Sequence, residues 1–324
     1  MNRRHALTTM LSALLWPPSV LGQQQRMPVI GVLVTHPPLT NPIFGYLRAG
    51  LLKFGYVDGK NIKLEARTAH GQLERVPGLA EELVRLRPTA ILVANELAVR
   101  AIKKATGTIP IVMVGLTGND PVALKLIESY ARPGGNVTGL FSVNPVLLPK
   151  RLELLKEASP GISKVAIFWE SSFGRQQLDD LKRAAQLLGL ELQPIDLRSI
   201  EDLELAFNTV KRNNAEALLL GFSPLAWTHK ARIAQLALET KLPSISEYLE
   251  YVEVGGLMSY GSSAVDTWER AAYYVDRLMK GAKVADLPVE QLSTYKLAVN
   301  LKTAKALGIK VPESVLMRAD QVIR

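Results

Sequence analysis

Cysteine is absent from the 324 residues of the chain, and histidine occurs only four times. Without a thiol, the protein cannot form a disulfide, use a thiolate nucleophile, bind zinc through sulfur or carry a lipid on an N-terminal cysteine. Three histidines, His36, His70 and His229, follow the first 22 residues, and no pair of them has the His-x-x-x-His spacing of a helical metal site. We therefore predict no metal centre.

Phosphate-binding and hydrolase motifs are missing as well. The chain has no Gly-x-x-x-x-Gly-Lys-Ser/Thr segment, and no Gly-x-Gly-x-x-Gly follows its first apolar strand candidate. Residues 256–261 miss the Gly-x-Ser-x-Gly pattern by one position, and no histidine follows them in the chain. These absences argue against an enzyme and against a bound cofactor.

Long apolar runs are scarce. No run of eighteen apolar residues occurs, so no membrane-spanning helix is predicted. The largely apolar residues 6–15 follow Arg3 and Arg4 and precede small residues up to Gly22, which is typical of a secretory signal spanning residues 1–22. The paired arginines fit a twin-arginine signal as well as an ordinary Sec signal. Either route predicts a periplasmic protein that is not a lipoprotein.

Positive charge is in excess but not concentrated. The formal net charge is +9, which raises nucleic acid as a partner. The basic residues nevertheless occur as isolated pairs along predicted helices, without a cluster of five and without interleaved aromatics. We interpret them as solvated helix faces and expect no nucleic-acid partner. The pairs are Lys103 and Lys104, Lys150 and Arg151, Lys182 and Arg183, and Lys211 and Arg212.

Residues 109–142 form a bridge between two similar halves. Residues 109–114 are continuously apolar, as in a buried parallel strand, and we expect the strand to stop at Gly115. Asp120 is placed to cap a predicted helix over residues 121–130. Gly134 and Gly135 then break the chain before a β-type crossing segment at residues 136–142.

The two halves repeat one plan of alternating strands and helices. Apolar residues 29–34 match residues 165–169, and residues 88–95 match residues 214–222. This order predicts an α/β protein with two doubly wound parallel-sheet lobes. Residues 255–324 do not fit the repeat and are explained by a chain that crosses between lobes three times, which makes a hinge. We divide the chain into a signal peptide (1–22), an N-terminal lobe (27–138 plus about 262–288) and a C-terminal lobe (139–261 plus about 289–324).

Loops that follow the strands are the candidate ligand site, because ligands of such sheets bind beyond the carboxyl ends of the strands. These loops offer hydroxyls and amides, acids, and aromatic rings. Asn41 and Asp120 fit helix caps as well. Of the two acids Glu96 and Glu170, which follow strands in opposite lobes, we expect one to meet a positive group of the ligand. The candidates are Thr35, Asn41, Asn95, Glu96, Thr117, Asn119, Asp120, Phe141, Ser142, Glu170, Ser171, Ser172, Phe173, Phe222, Ser223, Glu247 and Tyr248.

Several segments resemble the ABC-transporter substrate-binding protein family that includes tryptophan- and tyrosine-type uptake receptors. They include GVLVTHPPLTNP at residues 31–42, YARPGGNVTGL at 130–140, KRLELLKE at 150–157 and NLKTAKALGIKVP at 300–312. The resemblance implies a type I periplasmic binding protein fold, a ligand held between hinged lobes and delivery to a membrane permease. Family members often have small residues where this chain has Asn95, Glu96 and Leu97, so the resemblance leaves the ligand open.

The candidate loops suit a small amino-acid-like or aromatic carboxylate ligand. Helix N-termini can hold a carboxylate, an opposing acid can hold an ammonium, and no cluster of Arg or Lys is present that a phosphate would need. Arg100, Arg175 and Lys230 stand near the loops and could change this interpretation. We predict a monomeric solute receptor for an ABC permease of the inner membrane. The alternatives are a ligand-binding sensor for a membrane signalling protein and an enzyme that uses the same cleft.

Overall fold

The first of two sheets contains only parallel strand pairs. The computed structural model describes residues 27–36, 38–117, 120–142, 144–171, 175–221 and 223–324, so the predicted signal at 1–22 lies outside the described residues. Numbered along the chain, the strands are β1 (Val29–Val34), β2 (Lys63–Thr68), β3 (Ala90–Val93), β4 (Ile111–Thr117), β5 (Val137–Ser142) and β11 (Glu290–Gln291). Their order is β11-β5-β4-β3-β1-β2.

The second sheet has seven strands and one antiparallel pair. It contains β6 (Lys164–Trp169), β7 (Glu191–Asp196), β8 (Ala217–Leu220), β9 (Ser244–Ser246), β10 (Met258–Gly261), β12 (Lys296–Asn300) and β13 (Gln321–Ile323). The order is β13-β12-β10-β9-β8-β6-β7, and β10 runs antiparallel to β12. Strands in the centre of both sheets are buried on both faces, which explains their continuous apolar sequences.

Helices cover both faces of each sheet. Around the first sheet, α1 (Pro42–Lys53) and α10 (Ala264–Met279) pack on one face, and α2 (Val76–Arg85) and α3 (Glu96–Ala105) on the other. Around the second sheet, α4 (Asn144–Ala158), α5 (Arg175–Leu187), α11 (Leu301–Leu307) and α12 (Glu313–Leu316) pack on one face. The other face carries α6 (Asp202–Arg212), α7 (Pro224–Thr228) and α8 (Lys230–Glu239), with α9 (Glu250–Glu253) beside it. Each sheet with its helices is called a lobe below.

The chain passes between the lobes three times, as predicted. It leaves β5 in the first sheet for α4, returns from β10 to α10, and leaves β11 for β12. This confirms the predicted fold class of two doubly wound lobes with a three-crossing hinge. The residue boundaries that we assigned to the lobes stay a prediction. The hydrogen-bonded strand pairs place residues 139–142 and 290–291, which we assigned to the C-terminal lobe, in the first sheet.

Two predictions for the bridge were wrong. Strand β4 continues past Gly115 to Thr117, because Gly115 has a φ of 64° and forms an irregularity in the pairing with β5 between Met113 and Leu116. Residues 121–130 form turns instead of a helix. Asp120 does accept a hydrogen bond from the N–H of Val122, but Lys125 adopts a φ of 56°, which ends the helical turn.

Among the described residues, none of the helices combines the length and the hydropathy that a membrane span requires. Helices α7 and α8 meet at His229, and α9, α12 and β13 occur where no helix or strand was predicted from the sequence. These short C-terminal elements complete the second lobe, where Val315 of α12 is part of the core.

Candidate ligand-binding cleft

A cavity of about 130 Å³ lies between the lobes, at the carboxyl ends of the parallel strands. Its wall takes residues from β1, β3 and β4 with the segments that follow them, from α4 and α7, and from the segment after β9. Residues at the first two crossings, Ser142, Ser262 and Ala264, also line the cavity. The cavity therefore depends on the relative position of both lobes.

The first-lobe wall carries two linked polar side chains, Thr35 and Asn95. Each follows a buried strand, β1 or β3, and each is almost completely buried. The Asn95 amide donates to Thr35 Oγ1 at 3.0 Å, and Asn95 Oδ1 accepts from the N–H of Ala98, which caps α3. These bonds fix both side chains in place at the cavity surface.

The second-lobe wall carries a buried ion pair between Arg151 and Glu247. Arg151 Nη2 lies 3.4 Å from Glu247 Oε2, and the side chains are 1% and 6% exposed. Arg151 Nε also donates to the carbonyl oxygen of Tyr260 at 2.7 Å. Burial lowers the pKa of Arg151, and the nearby Glu247 carboxylate opposes that shift. The interpretation of Arg151 as part of a solvated helix face was wrong, whereas its neighbour Lys150 does lie at the surface.

Three aromatic side chains supply the apolar wall. Trp227 and Tyr248 of the second lobe pack edge to face with ring centroids 4.7 Å apart, and Trp268 approaches from α10 in the first lobe. Trp227 belongs to the same packed cluster as Phe44 of α1, so it bridges the cleft. The Nζ atom of Lys230 lies 4.0 Å from the centroid of Trp227. A flat apolar ligand group would find faces on both lobes here.

A second interlobe contact joins His36 to Glu170. His36 Nε2 lies 3.6 Å from Glu170 Oε1, and both side chains are buried. Burial, with a smaller effect of His229, lowers the pKa of His36 to about 4. Burial also raises the pKa of Glu170 to about 7, against a hydrogen bond from Ser223 at 2.9 Å that favours the carboxylate. Near neutral pH the imidazole is therefore uncharged and the carboxyl group is partly protonated.

Five of the predicted site residues line the cavity together: Thr35, Asn95, Ser142, Glu247 and Tyr248. Glu170 and Ser223 are buried beside it and bond to each other. These seven residues come from six different strand ends or crossings. The topology brings them together where the carboxyl edges of the two sheets face each other. The rule that ligands bind beyond the carboxyl ends of parallel strands could locate these residues from the sequence.

The remaining described candidates have other contacts. Asn41 caps α1 through the N–H of Ile43, and Glu96 pairs with Arg100 on the exposed face of α3. Asp120 accepts from Tyr130, Phe141 stacks on Tyr130 in the first-lobe core, and Ser171 donates to Asp196. Asn119, Ser172, Phe173 and Phe222 lie outside the described residues, and Thr117 is described only as the last residue of β4.

Sequence reasoning missed Arg151, Trp227 and Trp268 as cavity residues. Arg151 stood next to Lys150 in a segment that looked like a polar helix face, and both tryptophans lie within helices instead of directly after strands. The Pro224 start of α7 was a usable signal, because it puts Trp227 in the first turn of a helix that begins at a strand end. The three basic residues expected near the loops differ in role: Arg100 pairs with Glu96, Lys230 stacks on Trp227, and Arg175 begins α5.

Within the described ranges, no group of three or more His, Asp or Glu side chains could hold a metal ion. The described wall of the cavity instead combines a guanidinium, a carboxylate, neutral hydrogen-bonding groups and aromatic faces. Such a set can bind and orient a small polar molecule with an apolar part.

Known proteins share this architecture. The chain is 27% identical over 291 residues to the tyrosine-binding protein of Clostridioides difficile, an alignment that covers 89% of this chain and 83% of that protein. It is similar to the solved structure of an ABC domain in complex with L-Trp from Streptococcus pneumonia, with 28% identity, a TM-score of 0.80 and coverage of 91% of this chain and 99% of that one. A conserved domain protein from Vibrio cholerae is 25% identical, with a TM-score of 0.80 and coverage of 92% and 100%.

The family described as ABC transporter substrate binding protein matches residues 29–323, which is nearly every residue that the structure describes. This match agrees with the two doubly wound lobes, the three crossings and the cavity between the lobes. The chain belongs to the ABC transporter substrate-binding protein family.

Proposed function

We propose that this protein is an extracytoplasmic receptor that captures a small amino-acid-like or aromatic carboxylate ligand between its lobes and delivers it to an ABC permease. The observation that carries the proposal is the interlobe cavity, in which Arg151 and Glu247 lie beside three aromatic rings. Arginine is suited to a carboxylate, because its planar N–H donors match the two carboxylate oxygens. Trp227 and Trp268 offer apolar faces to a ring or a large aliphatic group.

The relatives support this ligand class. The name of the Clostridioides difficile relative gives tyrosine as its ligand, and the similar Streptococcus structure contains L-Trp. Both are aromatic amino acids, which agrees with the three aromatic rings at the cavity wall of this chain. The relatives are named for binding, so we propose transport without a chemical step in the cleft. The secretory pattern of residues 1–22 supports a periplasmic location.

Capture would involve closure of the lobes about the three crossings. In the structure the lobes already meet through His36 with Glu170 and through Trp227. Since both contacts join one lobe to the other, they would separate when the lobes open to admit a ligand. We propose a monomer, because each chain supplies both walls of its own cavity.

A ligand screen by thermal unfolding tests the proposal. The panel contains the twenty amino acids, aromatic acids, sugars, nucleosides and phosphorylated metabolites. A ligand at a hundredfold excess over its dissociation constant stabilises the fold by about 2.7 kcal/mol, so its melting temperature should rise measurably. We expect shifts with amino acids or aromatic acids, and titration calorimetry should then give a one-to-one complex. Shifts confined to sugars or phosphates would refute the ligand class.

A matched pair of variants ties binding to the cavity. Trp227→Leu removes an aromatic face from the wall, and we expect about a tenfold or greater loss of affinity for a bound aromatic compound. Leu205→Ala on the exposed face of α6, where Leu205 is 64% exposed, should leave the affinity unchanged. Equal affinities for Trp227→Leu and the unchanged protein would place the ligand elsewhere.

A further inference from the structure

We infer that the first lobe binds the surface of an anionic phospholipid bilayer through the end of its sheet that lies opposite the cleft. This amino-end surface comprises residues 27–28, 52–63 and 85–87, at the amino ends of β1, β2 and β3. The inference goes beyond the proposed function and does not depend on the identity of the ligand.

The three segments form one continuous surface. The N–H of Lys63 donates to the carbonyl oxygen of Pro28, and the N–H of Thr89 donates to that of Val29. These bonds place the segments before β2 and β3 on either side of the start of β1, in agreement with the strand order β3-β1-β2. The three segments can therefore contact a single flat partner.

Large apolar side chains are exposed on this surface. The segment between α1 and β2 is held in place by Asn61, whose side chain bonds to the N–H of Val57 and to the carbonyl oxygen of Gly55. The exposure is therefore a property of an ordered backbone. Several exposed apolar side chains on one surface usually mark a place where a partner or a membrane binds. The side chains are Met27 (40% exposed), Leu52 (61%), Phe54 (39%), Val57 (38%) and Leu86 (41%).

The same surface carries positive charge that no acid neutralises. Among the described residues, Lys60, Arg85 and Arg87 take part in no ion pair, and all three are exposed. Asp58, the acid within the three segments, is already paired with Arg48. The two other lysines of the surface pair with acids outside it. These pairs are Lys53 with Glu269 and Lys63 with Glu65.

Exposed apolar side chains beside uncompensated basic residues fit an anionic bilayer. The apolar side chains can enter the headgroup region while Lys and Arg side chains reach the lipid phosphates. Each basic residue near an anionic bilayer adds about fivefold to the affinity. A second copy of the chain is a poorer partner, because a symmetric contact would bring the same positive charges face to face.

The position of the surface in the chain favours the same partner. Met27 follows the predicted secretory signal at residues 1–22, so the amino-end surface is the part of the first lobe that is next to the membrane during export. The cavity lies at the other ends of the same strands, about 20 Å away for a strand of six residues. A protein bound in this way keeps its cleft in solution, where the cleft can capture a ligand.

Vesicle binding tests the inference directly. The exported protein is used after its mass has shown that residues 1–22 are removed, because a retained signal would bind lipid by itself. Vesicles with equal amounts of phosphatidylglycerol and phosphatidylethanolamine should retain the protein in sedimentation, and phosphatidylcholine vesicles should not. Raising the salt from about 0.1 to about 1 M shortens the Debye length from about 10 to about 3 Å and should release most of the protein. If the protein binds neither kind of vesicle, or both equally, the inference is wrong.

A pair of double variants locates the positive charge. Arg85→Gln combined with Arg87→Gln should weaken binding to the anionic vesicles at least about tenfold. The matched control is Lys302→Gln combined with Lys305→Gln, which removes the same charge from exposed positions of α11 in the second lobe and should leave binding nearly unchanged. Equal losses in both double variants would mean that only the net charge acts, and the inference would be wrong.

Fluorescence tests the apolar side chains. Because the chain has no cysteine, a single Leu52→Cys substitution can carry an environment-sensitive dye. The emission of this dye should move to shorter wavelength when anionic vesicles are added. A dye at Leu187→Cys, where Leu187 is 89% exposed on the second lobe, should keep its emission unchanged. An unchanged emission at position 52 would show that the apolar side chains stay in water, which would overturn the inference.

The remaining outcomes separate this inference from other partners and from the proposed function. If light scattering shows a dimer that Leu52→Gln combined with Phe54→Gln dissociates, and no vesicle binds, a second copy occupies the surface and the inference is wrong. Should a variant fail to fold, the lipid and salt comparisons on the unchanged protein still decide. Ligand affinity should be the same in every variant, because these residues lie away from the cavity. Failure of this inference therefore leaves the proposed function standing.

Discussion

The buried contact between His36 and Glu170 makes a specific prediction about pH and stability. Burial raises the pKa of Glu170 from 4.5 to about 7, so the stability linked to this group is complete below pH 4.5 and is lost as the pH rises to 7. Burial lowers the pKa of His36 from 6.5 to about 4, so its contribution is complete above pH 6.5 and is lost as the pH falls to 4. The two groups therefore act in opposite directions.

The two effects cancel over most of the acidic range. Between pH 4.5 and 6.5, the folded protein carries one proton on Glu170, and the unfolded chain carries one proton on His36. Since the pair binds the same number of protons in both states, it adds no pH dependence to the free energy of unfolding there. Each group alone would change that free energy by up to about 1.4 kcal/mol per pH unit.

Single substitutions should expose the two slopes. Urea unfolding of the ligand-free protein is measured at several values between pH 4.5 and 6.5, and each variant is compared with the unchanged protein so that other titrating groups cancel. Relative to the unchanged protein, Glu170→Gln should gain stability as the pH rises, and His36→Gln should lose stability over the same range. Summed from pH 4.5 to 6.5, each difference should approach about 2–3 kcal/mol.

The signs of the two pH-dependent differences in the free energy of unfolding decide whether the pKa shifts of His36 and Glu170 have the directions given above. If both variants differ from the unchanged protein by an amount that does not depend on pH, the folded protein does not hold a neutral imidazole beside a protonated carboxyl group in this range. If both differences slope in the same direction, one of the two pKa shifts has the opposite sign. Because His36 and Glu170 belong to different lobes, the same measurement also reports whether the ligand-free lobes remain in contact.

Three further outcomes can be measured. Gly139→Ala should destabilise the protein by roughly 3 kcal/mol or more in urea, because Gly139 has a φ of 118° and a Cβ there would lie 2.2 Å from Met113 O. Gly45→Ala is the control, because Gly45 occupies an exposed position of α1 with open space around it, and this substitution should be neutral or stabilising. Glu96→Gln should leave ligand affinity unchanged in calorimetry, because Glu96 pairs with a neighbouring arginine away from the cavity, and a loss above tenfold would contradict this. A binding amino acid should reduce the radius of gyration in solution scattering, and no change at saturation would count against lobe closure.

The sequence predicted the parts of the fold that local patterns determine. The apolar segments that form β1, β3, β6 and β8 are continuous and end at polar or glycine residues, so the positions of these strands could be predicted. The edge of each sheet at which their carboxyl ends meet could be predicted as well. The prediction for residues 121–130 failed because Lys125 takes a left-handed backbone conformation, which the identity of a lysine does not indicate.

The sequence predicted the site residues that lie in loops after strands, but not those that lie on helices. Thr35 and Glu247 follow strands directly and Asn95 comes two residues after β3, so the topology alone placed them at the cleft. The position of Arg151 depends on Glu247 and Tyr260, which are distant in the sequence, and no helical pattern distinguishes such a residue from a solvated one. Trp227 and Trp268 are similar cases, because a tryptophan on a helix is compatible with an ordinary core position.

The late return of the chain to the first lobe has a consequence for folding order. Helix α10 packs against α1 and β4, although it follows α1 by more than two hundred residues. At about 5–20 residues per second, a ribosome needs roughly 10–40 s to add that length, and during this time α1 covers its face of the first sheet without α10. The first lobe therefore cannot be completed before most of the second lobe, from α4 to β10, has been synthesised. A chain exported in the unfolded state would reach its native structure only after its last quarter had crossed the membrane.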